Sequence, residues 1–209
     1  MADNQIRGRA KANFPTVLLT LLSIVQALEL MWTHLGEHPY LYEWSFLAVL
    51  GWLQIAATLL GILLIWLIYS GLVMRFSWVP STSDAIFPFL VGIIEFAQIG
   101  VMGPSSIGIW FIILSILFAI MAWVTQVTMR RARHDSDNDH FFANLPRASW
   151  ADHISSVIPV VVLLMIGLGI WVTENQGWFS LVAVALAFGL LANQLRMTHV
   201  FTQRSYQDG

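Results

Sequence analysis

From Trp44 to Met74 the chain carries no Asp, Glu, Lys or Arg, and five other stretches are almost as free of charge. A bilayer core about 30 Å thick is crossed by ~20 apolar helical residues, so runs of this length constrain the fold before any residue is weighed singly. The six stretches run from about Phe14 to His34, Trp44 to Met74, Ala85 to Met102, Ile107 to Met129, Ser156 to Val172 and Trp178 to about Met197. The second is long enough to tilt or to project beyond the membrane. Composition agrees, with 57% of residues hydrophobic and 11% charged. A soluble domain carries roughly 25% charged residues, so this chain lacks the charge to cover a globule in water. A soluble enzyme, a nucleic-acid binder and a disordered chain are excluded on that ground.

The fold expected is all-α and integral to the membrane: six spans in three consecutive helical hairpins. Residues 1–13 form a short N-terminal segment, 14–198 the membrane domain and 199–209 a tail. Arg7, Arg9 and Lys11 precede the first apolar run in the manner of a signal peptide. That run is too long for one and no small-residue cleavage site follows, so it reads as an uncleaved first span. Cysteine is absent, which removes disulfides, thiolate metal sites and cysteine nucleophiles.

The basic residues orient the bundle. The junctions Leu35–Glu43, Gly103–Ser106 and Thr173–Gly177 hold no Lys or Arg. All ten fall on the other side: Arg7, Arg9, Lys11, Arg75, Arg130, Arg131, Arg133, Arg147, Arg196 and Arg204. By the positive-inside rule both termini are expected in the cytoplasm. No Asn-x-Ser/Thr acceptor occurs, in keeping with a bacterial cytoplasmic (inner) membrane. Trp32, Trp44, Trp78, Trp110, Trp171 and Trp178 lie near span ends, where an interfacial aromatic belt is expected.

Each hairpin opens with a proline near its first helix start (Pro15, Pro88, Pro159), where a missing N–H costs little. Each also closes on a related string: Ser70 to Arg75, Thr125 to Arg130, Asn193 to Thr198. Internal repeats are common in transporters, although a polar and basic finish is also what any cytoplasmic helix end needs. The connection from Arg130 to His153 alternates Asp135, Asp137 and Asp139 like a calcium loop but lacks that motif's glycine and terminal glutamate, and is expected to be a solvated linker. Its arginines suit anionic headgroups.

Function is sought in the ionisable groups within the spans. Glu29 and Glu95 are the acids well inside them, and no Lys or Arg lies mid-span to neutralise either. A charge at a helix centre costs about 2.5–3.5 kcal/mol on insertion scales, so both are expected to face the bundle interior, protonated or in contact with water. Each has a glutamine three residues away, on the same helix face: Gln26 before Glu29 and Gln98 after Glu95. Thr20 and Ser23 extend the first stripe; Gly92 extends the second, its missing side chain expected to admit a close neighbour. Gln54, ten residues into the second span, lies at comparable depth. Five polar side chains on three helices are thus expected to converge as a pathway for a proton or cation in a small channel or transporter. The competing expectation is a non-transporting scaffold, assembly factor or subunit, in which the same groups only knit helices together. Asn193, Gln194 and Gln126 are expected to line an inner vestibule or simply to be solvated, and the apolar fifth span to face lipid or another subunit.

His34-Leu35-Gly36-Glu37-His38 matches the H-x-x-E-H string of one zinc-peptidase class. That chemistry needs both histidines on one face of a continuous helix, and Gly36 and Pro39 bracket the string at a helix end. His34, Glu37 and His38 therefore remain the candidates for an incidental metal, and none is expected. All six histidines sit at span ends or in loops, which argues against haem. No nucleophile elbow, phosphate loop or dinucleotide fingerprint appears. No enzyme activity and no cofactor are expected. The expected partners are the lipid bilayer, a proton or cation, and further copies or a larger membrane complex, with no nucleic acid.

Overall fold

The structure, a computed structural model, describes residues 38–76, 82–142, 150–174 and 177–207, with isolated positions (8, 12, 28, 32, 35 and 36) nearer the N-terminus. The first expected span therefore lies outside the described residues. The remaining chain forms five long helices, α1 Phe46–Arg75, α2 Thr82–Gly100, α3 Ile107–Ala132, α4 Trp150–Thr173 and α5 Trp178–Gln207, and no strand is present among the described residues. They coincide with the second to sixth apolar stretches. Three segments are long and apolar enough to cross a membrane: Phe46–Met74, Pro104–Ala132 and Trp178–Arg196. The apolar parts of the other two, Ile86–Gly100 and Val157–Thr173, are shorter.

Local chemistry sets the helix limits. Ser45 is extended and its Oγ accepts the Ala48 N–H at 3.2 Å, capping α1 and satisfying one of the donors a helix start leaves orphaned. Between α2 and α3 the chain reverses within six residues. Gly103 adopts φ +143°, which a side chain would oppose, and Pro104 opens a short 3-10 turn through Ser106. At this turn end a second 3-10 turn, Pro39–Tyr42, lies against Gly51, and the Trp52 indole N–H donates to the Leu41 carbonyl at 3.0 Å.

Helices α2 and α4 begin earlier than expected, and this changes the reading of two prolines. Pro88 and Pro159 lie inside their helices rather than at the starts. Each removes a helical hydrogen bond and leaves the carbonyl four residues back, of Asp84 and Ser155, without its usual donor. Helices packed among neighbours in a membrane tolerate such breaks.

Packing also departs from the hairpin order. The most extensive contacts join α3 to α4 and α1 to α5, whereas α4 and α5, adjacent in sequence, barely touch. The reason is visible at one crossing. A Cβ on Gly108 would sit 2.7 Å from the Trp171 nitrogen, and one on Gly167 would sit 2.9 Å from the Gly108 oxygen and the Ile112 nitrogen. The two backbones therefore meet directly, and the Ser115 hydroxyl donates to the Val160 carbonyl at 3.0 Å along the same seam. The fifth stretch is accordingly not free all round. Leu163, Gly167 and Ile170 are buried, while Val161, Met165, Leu168 and Val172 stay exposed.

The opposite end is closed by residues expected to be a solvated linker. The Asp135 carboxylate accepts the Asp137 N–H at 3.0 Å, so the alternating acids build a turn. Asn138 is fully buried and its amide donates to the Ala132 carbonyl at 2.7 Å, capping α3. Phe142 stacks on Phe76 at 5.3 Å with the Arg133 guanidinium 4.8 Å above its ring. An apolar pair and a buried amide give this stretch reasons to order that its charge count hides. Residues 143–149 lie outside the described ones.

Replacing Gly108 or Gly167 by alanine should lower stability in detergent by about 1–3 kcal/mol through overpacking at the crossing. Gly169→Ala, where an added Cβ meets nothing within 4 Å, should be neutral or stabilising by up to about 1 kcal/mol. Thermal unfolding of the three variants checks this; equal effects would remove the crossing as the determinant of the α3–α4 distance.

Candidate functional site

Polar side chains inside the bundle fall into two groups with different chemistry. The first is a chain of hydrogen bonds near the turn end. Gln54, Thr58 and Trp110 are all buried, at 1%, 1% and 0% exposure. The Gly103 N–H donates to Gln54 Oε1 at 3.1 Å. The Thr58 hydroxyl donates to the Gln54 backbone carbonyl at 2.9 Å and accepts the Trp110 indole N–H at 3.1 Å. Met102 Sδ lies 3.6 Å from the same oxygen. This chain ties α1 to the 100–106 turn and to α3. It also corrects the expectation for Trp110, which is not part of an interfacial belt. An indole three residues into a helix, pointed inward, needs an acceptor, and Thr58 supplies it. Trp32, Trp44, Trp171 and Trp178 are exposed, as a belt requires. Trp78 lies outside the described residues.

A backbone N–H can only donate, so the Gln54 oxygen must face Gly103 and its amino group must point away. That Nε2 has no partner among the described residues, and neither does Nε2 of Gln98, which is 1% exposed on α2. Buried donors left unsatisfied are costly, so these two amides stand out among the buried groups, together with the Trp66 indole Nε1, which also has no partner among the described residues.

The second group surrounds a cavity of about 50 Å³ between α1, α2 and α3. That exceeds the ~10–15 Å³ one water requires. Glu95, only 7% exposed, is on its wall, together with Trp66, Tyr69, Phe87, Pro88 and Gly92. No hydrogen-bond or ion-pair partner of the Glu95 carboxyl occurs among the described residues. Glu95 stands five residues, about 7.5 Å, from the α2 end, while Phe87 and Tyr69 lie deeper toward the opposite end. The cavity thus extends from the carboxyl along the bundle. Phe87 is fixed by an edge-on contact with Trp123, ring centroids 5.1 Å apart.

Of the five polar groups expected to converge, Glu95 lines this cavity, and Gln54 and Gln98 do not. Glu29 and Gln26 lie outside the described residues. Gly92 does not admit a neighbouring helix: an added Cβ would meet nothing within 4 Å, because its face opens on the cavity. The aromatic walls were missed. A mid-span Trp66 three residues before Tyr69 was the available sign, since interfacial tryptophans belong at span ends. A second cavity, about 100 Å³, is lined by Asn193 and Gln194 with Pro159 and Leu163, whereas Gln126 is not on its wall. Of the histidine string, His34 and Glu37 lie outside the described residues, and His38 packs its ring 5.6 Å from that of Tyr40. No group of three His, Asp or Glu side chains that could hold a metal occurs among the described residues.

No protein-family model matches this chain, and comparison with curated proteins and with solved structures yields no match. The described residues form an all-helical protein with three helices long and apolar enough to span a membrane.

Thr58→Val removes the sole acceptor seen for a buried indole N–H and should cost about 1–3 kcal/mol. Thr58→Ser should retain most of that stability. Detergent unfolding followed by tryptophan fluorescence checks the pair, and equal stability of the two variants would mean that the indole finds another acceptor.

Proposed function

We propose that this chain is a six-span, non-enzymatic protein of a bacterial cytoplasmic membrane, both termini inside, that passes a proton or cation by way of Glu95. One observation carries the reading. A buried carboxyl group with no cationic partner among the described residues lies on a cavity large enough for water, in a bundle whose other buried polar side chains, among the described residues, are uncharged. An ionisable group kept in such a place at an insertion cost is the usual mark of an ion or proton pathway. Glutamine or serine would knit helices at a lower penalty. Glu29, on the first apolar stretch, is the second acid of the pathway, with Gln26 to orient it.

The scaffold reading has its own support in Gln54. Its oxygen is committed to the Gly103 turn and its backbone carbonyl to Thr58. That is interhelical joinery, and Gln54 accordingly leaves the pathway.

Topology is testable because the chain has no cysteine. In spheroplasts, a membrane-impermeant maleimide should label Ser105→Cys directly and Asp137→Cys only after permeabilisation. The reverse pattern would invert the bundle, and labelling of both would break the assignment of the α3 span.

Transport is tested in liposomes with a proton- or cation-sensitive dye trapped inside. Flux should fall at least tenfold in Glu95→Gln, with the double variant Glu29→Gln and Glu95→Gln the lowest. Wild-type protein without flux, or flux that survives both changes in a folded protein, would leave the scaffold in its place.

A further inference from the structure

The walls around Glu95 say what kind of cation fits. We propose that this cavity binds the head group of a monovalent organic cation, an amine or quaternary ammonium carried on an apolar body, in preference to a bare metal ion. The inference rests on Glu95 being the functional acid, and it concerns binding rather than movement.

A hard metal ion replaces its hydration shell with six or more oxygen ligands. Among the described residues the cavity wall offers one carboxylate and no second acid, amide or histidine. What it offers instead is three aromatic rings, Trp66, Tyr69 and Phe87, drawn from α1 and α2. An onium ion is large, weakly hydrated and held by ring faces without directed coordination, which is how aromatic cages recognise quaternary ammonium groups. One carboxylate supplies the matching charge, and no Lys or Arg among the described residues competes for it on the wall.

Size narrows the class. Sites that enclose a drug-sized ligand measure roughly 300–1,000 Å³, and this cavity is about 50 Å³. It admits a compact head group, leaving the apolar remainder along the helices, where aliphatic side chains and lipid suit it. Rigid walls favour this arrangement. Phe87 is braced by Trp123, and Pro88 and Gly92 remove side-chain bulk where the head group would rest.

The test is equilibrium binding of benzyltrimethylammonium to the full chain in an uncharged detergent, by calorimetry, with sodium, potassium and calcium as competitors. Wild type should bind saturably. Glu95→Gln should weaken binding at least tenfold, and Trp66→Leu several-fold, with Trp66→Phe restoring most of it. That rescue separates a ring-face contact from loss of packing. Millimolar metal ions should not displace the ligand. No saturable binding by wild type, binding untouched by Glu95→Gln, or displacement by the metal ions at equal concentration would each overturn the proposal. If a variant fails to fold, the wild-type competition decides alone. Glu95-dependent proton flux without ammonium binding would sink this inference and leave the transport reading standing. Ammonium binding without flux would do the opposite.

Discussion

Where Gly108 of α3 lies on Gly167 of α4, two backbones touch with nothing between them, and the rest of the bundle is arranged around that contact. Lipid tails are as apolar as leucine, so helices in a bilayer gain little by hiding apolar surface from their surroundings. Association must come from close packing and hydrogen bonds, both of which need short distances. The glycine crossing supplies the first and the Ser115–Val160 hydrogen bond the second. With α4 held there, α3 becomes the central element, its Ile107, Trp110, Phe111 and Leu114 almost wholly enclosed. It meets α1 through Trp110 and Thr58, and α2 and α1 again across the Glu95 cavity.

Polar groups in this setting divide by whether the fold uses them. Gln54, Thr58 and Trp110 bond to one another and to the Gly103 turn, and these bonds hold three elements together. Asn138 does the same for the far end of α3. Glu95 differs, since it is buried yet lines a cavity with aromatic rings and has no partner among the described residues. The reading of function follows from that contrast rather than from the presence of an acid alone.

Much of the architecture was legible before any coordinates. The second to sixth apolar stretches each became a helix, because in lipid only a helix satisfies the backbone of a lone segment, although α4 starts at Trp150 and α5 runs on to Gln207, beyond the apolar limits. Other residues were misread for identifiable reasons. Pro88 and Pro159 looked like helix-start prolines because apolarity, unlike helicity, begins near them. Trp110 looked interfacial because its distance along the chain from a span end says nothing of the side it faces. Gly92 looked like a packing contact, but a missing side chain leaves either a neighbour or a void, and the sequence is the same in both cases.

The division between the two levels is physical. Length and apolarity are properties of each segment against its solvent, so the sequence by itself determined that this chain is helical and apolar. Which helix lies beside which is a property of pairs of surfaces. Only the tertiary structure decided that α4 joins α3 and α5 joins α1, and that Glu95 shares a cavity with Trp66, Tyr69 and Phe87 while Gln54 is turned to another task. Residues distant in the chain meet through shape, and shape is written in no single segment.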